Sequence, residues 1–310
     1  MADPTEYPIP GYLSEQAQVV LAAPMRTGVE PALDDTDGWL RLAEGADAQI
    51  RHEFSQVELP VSTELTTVAG VPVYVLRSSE LEVDDASPLF IDIHGGALLM
   101  AGGDVTPLVC ARDAVATGML TWAVDYRMPP LHPYPAALDD LMAVYRAALD
   151  VRSAKDIVVG GGSAGGNLAA ALTLRIIAEG LPAPGLLVLL SPEVDLTESG
   201  DTFHTLAAVS TIGSMMTINR LYAAGADLAD PYLSPLFGDV TGFPPTFIQS
   251  GTRDLFLSNS ARMHRKLREA GVDAELHVFE AMPHGGFPGA PEDQEVYTEL
   301  RRFVDKHYPR

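Results

Sequence analysis

Three short runs carry the residues whose types and spacing suit a chemical task. They are Gly160-Gly161-Gly162-Ser163-Ala164-Gly165-Gly166, Ser250-Gly251-Thr252-Arg253-Asp254 and Met282-Pro283-His284-Gly285-Gly286. A serine hydroxyl is a poor nucleophile near neutral pH. It becomes a useful one when an imidazole takes its proton and a carboxylate holds that imidazole in the right tautomer. Ser163 is therefore expected as nucleophile, His284 as general base and Asp254 as the acid that orients it. Each has a plainer reading when taken alone: a loop that packs helix to strand or cradles phosphate, a structural histidine, a turn or N-cap aspartate. A phosphate loop would end in Gly-Lys-Ser/Thr, and no lysine lies near Ser163.

An attack on a carbonyl also needs donors for the oxyanion it creates. His94-Gly95-Gly96-Ala97 follows an apolar run, and paired glycines let backbone N-H groups turn toward a bound oxygen. The donors expected are Gly95, Gly96 and Ala164. A glycine pair after a strand is otherwise an ordinary turn.

These residues act together only if strands and helices bring them to one edge. From about residue 57 apolar, β-branched runs alternate with helical periods, the pattern of a mostly parallel sheet covered by helices. Strands are expected at 58–67, 71–77, 89–94, 120–125, 156–160, 185–190, 246–250 and 275–279, the first two as an antiparallel hairpin about Ala69-Gly70. Helices are expected at 106–117, 135–149, 164–179, 258–270 and 292–307, with Asp104 and Ser258 as N-caps and Gly180 and Gly271 as stops. Ser163 then sits where a strand turns sharply into a helix, the nucleophile-elbow setting. Asp254 and His284 follow later strands. Residues 1–55, with helical stretches at 14–21 and 36–50, and residues 196–232, with helical patches at 203–209 and 217–224, interrupt the alternation. Both are expected to join in a helical cap above the carboxyl edge of the sheet, leaving 56–195 and 233–310 as the two parts of the catalytic domain.

The chain has 310 residues, 47% hydrophobic, which is enough for one large α/β domain with an insertion. A formal net charge of -22 repels phosphate backbones and anionic membranes, so neither nucleic acid nor membrane is an expected partner. The start, Met1 to Glu6, carries acid where a secretory signal carries base, and cytoplasmic residence is expected. Cys110 is the single cysteine and is expected as a buried thiol. His94, His132, His204, His264 and His277 show no metal-ligand spacing, so neither a metal nor an organic cofactor is expected. His94 is expected to orient the oxyanion loop through its ring nitrogens. Tyr126 and Arg127 are expected to support the same loop, with Asp139 or Asp140 as partners for the guanidinium. Glu193 is an acid near the expected site without an assigned role.

Several separated motifs, in order, resemble the bacterial hormone-sensitive-lipase-like family (family IV) of α/β-hydrolase esterases. They are His94-Gly95-Gly96, Asp125-Tyr126-Arg127, His132-Pro133-Tyr134-Pro135-Ala136-Ala137-Leu138-Asp139-Asp140, Gly162-Ser163-Ala164-Gly165-Gly166, Asp254 and His284-Gly285. The order nucleophile, acid, base is that of the α/β-hydrolase arrangement. The resemblance runs from about residue 86 to the C-terminus. It implies an eight-stranded α/β-hydrolase fold and hydrolysis of small carboxylic esters through an acyl-serine, without a cofactor. The chain departs from the family at Gly162, where an acid is usual, and at Ala97, where a third glycine is common. It departs again at Leu255 and Phe256, which replace proline and leucine and should reshape the acyl pocket, and at Gly286, an extra glycine expected to loosen the loop of the base. Leu98, Met215 and Met216 are expected to line the pocket with Leu255 and Phe256. A serine carboxylesterase of short- to medium-chain esters is the leading expectation. A lactone hydrolase on the same machinery and a non-catalytic receptor on this scaffold are the alternatives. Pairing through the last strand would give a homodimer.

Overall fold

The computed structural model describes residues 7–23, 30–55, 60–79 and 87–308; the acidic start and the first residues of the strand expected at 58–67 lie outside these. Among the described residues eight strands form one sheet. They are β1 (Val61–Val68), β2 (Val71–Ser78), β3 (Leu89–Ile93), β4 (Leu120–Val124), β5 (Ile157–Gly162), β6 (Leu186–Leu190), β7 (Thr246–Arg253) and β8 (Ala274–Pro283). Their order is β1-β2-β4-β3-β5-β6-β7-β8. β1 and β2 make the expected hairpin, turning at Ala69 and Gly70 with φ of 50° and 86°, and β2 runs antiparallel to β4. The pairs from β4 to β8 are parallel.

The helices are α1 (Glu15–Ala22), α2 (Thr36–Phe54), α3 (Thr106–Thr117), α4 (Ala136–Leu149), α5 (Ala164–Ala178), α6 (Thr202–Thr205), α7 (Met216–Ala223), α8 (Leu257–Glu269) and α9 (Pro291–His307). Alternation along β3 sorts them onto two faces. Leu89, Ile91 and Ile93 pack with Leu138, Leu141 and Tyr145 of α4, Leu168 and Leu172 of α5 and Met263 of α8. Phe90 points the other way, to Leu300, Phe303 and Val304 of α9. Leu168 and Leu172 are fully buried, and each such side chain stabilises the fold by about 1.5–3 kcal/mol. Ala and Leu dominate α5, which propagates well as a helix, and Gly180 at φ 70° ends it as expected; Gly271 at φ 79° follows α8.

Local reading fails where a distant group supplies the cap. Asp104 does not cap α3: it lies in a 3₁₀ turn and makes a bidentate pair with Arg51 of α2. Ser258 lies inside α8, and its N-H donates to the Thr202 hydroxyl while its own hydroxyl accepts from the Thr202 N-H. That reciprocal pair ties α6 to α8. The helical patch expected at 203–209 is one turn, Thr202–Thr205, followed by isolated turns onto the Leu206 carbonyl.

The helices outside the alternating pattern dock in two places. Trp39 of α2 packs with Ile218 and Leu221 of α7 and with Leu99, directly over the segment after β3. Asp47 of α2 accepts from the Ala101 N-H at 2.7 Å in the same segment. α1 sits elsewhere: Leu13 and Ala17 pack with Ala281, Met282, Phe287 and Ala290, and the Glu292 carboxylate accepts from both the N-H and the hydroxyl of Ser14.

Candidate active site

Ser163 stands between the end of β5 and the start of α5 with φ 56° and ψ -118°, a strained conformation for a residue with a side chain. Small neighbours make this turn feasible. A Cβ on Gly161 would lie 2.1 Å from the Ile93 carbonyl oxygen, and one on Gly165 would lie 1.8 Å from it. Gly162, the position where the family usually has an acid, is roomier, its nearest contact being the Leu190 carbonyl oxygen at 3.6 Å. The backbone of Ser163 is fixed on both sides: its N-H donates to Leu190 at 2.8 Å, and its carbonyl accepts from Asn167 at 3.1 Å.

Sheet register brings the other two residues together. β7 and β8 keep pairing past the rest of the sheet, beyond a bulge, so that Arg253 faces Pro283. Asp254 and His284 are the next residues on the two strands. The Asp254 Oδ1 accepts from His284 Nδ1 at 3.0 Å, and the His284 Nε2 lies 2.9 Å from Ser163 Oγ. With Nδ1 engaged by a carboxylate, Nε2 carries the lone pair that faces the hydroxyl. Asp254 is fully buried and also accepts from the Ser250 hydroxyl at 2.8 Å and the Phe256 N-H at 3.0 Å. Burial by itself would raise this carboxyl, but the facing His284 imidazole and these hydrogen bonds hold it below the usual carboxylate range. The Phe256 ring meets the His284 imidazole edge-on, with centroids 4.8 Å apart.

The segment 94–101 reaches the same point from β3. A Cβ on Gly95 would come 3.0 Å from the Gly162 carbonyl oxygen and 3.5 Å from the Ser163 Cβ, so bare backbone lies against the serine. Gly96 has φ 112°, and Ala97 and Leu98 follow at 55° and 60°. Ala164 opens α5, where first-turn N-H groups have no partner within the helix. His94 braces this segment as expected: its Nδ1 donates to the Gly95 carbonyl at 2.7 Å, and its ring stacks on Tyr126 at 4.2 Å. The Tyr126 hydroxyl donates to the His94 carbonyl at 2.9 Å. Arg127 takes Asp140 as its bidentate partner, while Asp139 pairs with Arg175.

A cavity of about 320 Å³ lies beside Ser163 and His284, running between the sheet and helices α3 and α9. None of Leu98, Met215, Met216, Leu255 and Phe256 lines it. Leu98 is buried in the main core, Leu255 and Phe256 are buried with Phe203 under Met215 and Ile212, and Met216 begins α7 at partial exposure. The extra glycine does not free the loop of His284. Gly286 donates to Pro283, Phe287 is fully buried, and the Phe287 N-H donates to Asp293 at 2.7 Å. Glu193 is buried, accepts from Asn219 at 2.9 Å, and burial raises it to about 8. Cys110 is a buried free thiol, which burial raises well above its ordinary value.

Sequence reasoning missed Ser250, whose hydroxyl steadies Asp254. It also missed Asp92, which lines the cavity from the middle of β3. The signal for Asp92 was present as a lone carboxylate in Leu89-Phe90-Ile91-Asp92-Ile93, all five residues buried. Among the described residues no group of three or more His, Cys, Asp or Glu side chains is arranged to hold a metal, and no helix is long and apolar enough to cross a membrane.

Comparisons with known proteins agree with this architecture. A family model described as alpha/beta hydrolase fold matches residues 90–288. An esterase of Acinetobacter venetianus is 33% identical over 213 residues, covering 67% of this chain and 70% of the relative. The carboxylesterase NlhH of Mycobacterium tuberculosis is 31% identical over 215 residues, covering 66% and 67%. A crystal structure of an esterase superposes with a TM-score of 0.88 at 36% identity, covering 97% of this chain and 96% of that one. An esterase from the bacterial hormone-sensitive lipase family superposes with a TM-score of 0.80 at 29% identity, covering 95% and 98%. This chain belongs to the α/β-hydrolase fold family and, within it, to the carboxylic ester hydrolases of the bacterial hormone-sensitive-lipase group.

Proposed function

We propose that the chain hydrolyses short- to medium-chain carboxylic esters through an acyl-serine intermediate, with Ser163, His284 and Asp254 as its catalytic triad. One observation carries this reading: an unbroken line from Ser163 Oγ to His284 Nε2 at 2.9 Å and from His284 Nδ1 to Asp254 at 3.0 Å. Ser163 Oγ bonds to the ester carbonyl carbon as its proton passes to His284 Nε2. The electron pair of the carbonyl moves onto oxygen, which the N-H groups of Gly95, Gly96 and Ala164 hold. Collapse breaks the bond to the alkoxy group, which leaves as alcohol with the proton from Nε2. Water then repeats the sequence and releases the acid. Asp254 stays ionised throughout and stabilises the imidazolium.

In the same reading residues 1–55 and 196–232 form the cap over 56–195 and 233–310. The contact of Trp39 with Ile218 and Leu221 above the segment after β3 supports it for α2 and α7. α1 is not part of that contact.

Replacing Ser163 by alanine should lower kcat on p-nitrophenyl butyrate by roughly 10⁴-fold or more. An organophosphate should label the wild-type protein once, at Ser163. Retained turnover in the variant would sink the mechanism, and a protein that takes up no label would be a receptor on a hydrolase scaffold. Turnover on medium-ring lactones that exceeds turnover on acyclic esters would shift the substrate class but leave the chemistry intact.

A further inference from the structure

The cavity beside Ser163 has a neighbour along the same pair of helices. A second hollow, of about 220 Å³, lies between α3 and α9 and is lined by Val115, Ala116, Gly289 and Gln294. Three residues line both hollows and so stand between them: Arg112 on α3, and Asp293 and Tyr297 one turn apart on α9. Both sides of this septum offer apolar wall. Phe54, Val109, Leu190, Met282 and Val296 line the first cavity, and Val115, Ala116 and the Tyr297 ring line the second. Asp293 is the fixed part of the septum, because it is buried and its Oδ1 accepts the Phe287 N-H at 2.7 Å. Arg112 completes it. The guanidinium lies 3.9 Å from Asp293 and 5.4 Å from the centre of the Phe54 ring, and it meets the Tyr297 hydroxyl across the gap between the helices. At 3.9 Å the ion pair is too long for a hydrogen bond, so Asp293 keeps its bond to Phe287 without it.

We propose that one hydrocarbon arm of the ester runs from Ser163 into the first cavity, and that Arg112 sets the greatest length of that arm by closing the way into the second hollow. The proposal rests on Ser163 being the nucleophile. An alkyl tail long enough to reach the septum would strip water from a guanidinium without pairing it, which makes Arg112 a stop and not a wall to slide along. With a methyl group at position 112, the two hollows of about 320 Å³ and 220 Å³ would join in one path. Each further methylene that then finds apolar wall should raise kcat/KM by about fourfold, and two together by more than about tenfold.

Two ester series read the limit: p-nitrophenyl butyrate against p-nitrophenyl decanoate, and butyl acetate against decyl acetate. In one series Arg112→Ala should raise the ratio of kcat/KM for the long ester over the short one by at least about tenfold relative to wild type. A rise in the first series assigns the cavity to the acyl arm, and a rise in the second assigns it to the alcohol arm. The ratio separates length from chemistry, because damage passed through Asp293 to the loop of His284 would slow both members of a series alike. Arg112→Met removes the charge but keeps most of the bulk, so its ratio should move by less than one methylene is worth, about fourfold. Tyr297→Ala opens the septum from α9 and should raise the ratio in the same series; it serves if Arg112→Ala fails to fold. The proposal falls if an opened variant that turns over the short esters shows no rise in either series. It falls too if Arg112→Met raises the ratio as far as Arg112→Ala, since charge and not bulk would then set the limit. If Ser163→Ala still hydrolyses p-nitrophenyl butyrate, the parent reading falls instead.

Discussion

At the scale of single residues, the strain at Ser163 is held by neighbours with no side chain, and the neighbours are not equivalent. An alanine at 161 or 165 would drive its methyl to within 2.1 Å or 1.8 Å of the Ile93 carbonyl oxygen, so backbone must move. Gly161→Ala and Gly165→Ala should each lose more than about 3 kcal/mol of stability or nearly all turnover. Gly162→Ala meets nothing closer than 3.6 Å and should change the chemical-denaturation midpoint little, with turnover kept within a few-fold. A Gly162 variant as damaged as Gly161→Ala would show that space is not what the elbow selects for. The runs that carry Ser163, His284 and Asp254 stand out in the sequence because each lies just past a strand, and the fold brings the three side chains within hydrogen-bond reach. The surroundings of the expected wall residues depend on contacts between distant segments, which no local run encodes. Leu255 and Phe256 are buried in a cluster with Phe203, Ile212 and Met215, and the Phe256 ring packs edge-on against His284.

Among the elements, the connection from β6 to α6 carries an acid that titrates in an instructive direction. Burial raises Glu193 to about 8, against about 4.5 for an exposed glutamate. Between those values the unfolded chain has released the proton and the folded chain keeps it, so stability falls as pH rises across that window and levels off above it. The slope is at most about 1.4 kcal/mol per pH unit. Glu193→Gln keeps the hydrogen bond from Asn219 and removes the titration. Its melting temperature relative to wild type should therefore climb between pH 5 and pH 8, and a constant difference over that range would refute the assignment. The strands were legible in the sequence because each is a buried apolar run. Helix ends were less so: the Ser258 N-H in the first turn of α8 donates to Thr202, 56 residues away, and no local pattern encodes a cap supplied from that distance.

Over the whole molecule, a formal net charge of -22 makes the folded state repel itself. Raising NaCl from about 0.01 M to 0.5 M shrinks the screening length from about 30 Å to a few Å, so the melting temperature should rise. A fall would mean that the surface ion pairs, such as Arg51 with Asp104, outweigh the bulk repulsion. The sheet order ends at β8, where Val278 is 42% exposed, so a homodimer through this edge is a geometry the fold permits; sedimentation of wild type against Val278→Lys would reveal it. The docking of α1 has a practical bearing of its own. Ser14 is bonded to Glu292, and Leu13 and Ala17 cover Met282 and Phe287, the residues that flank His284 on its loop. Expression designs that trim the amino-terminal helix would uncover the underside of the hinge that carries the imidazole. Such trimmed enzymes should turn over more slowly and inactivate sooner on warming, although Ser163, His284 and Asp254 are all still present.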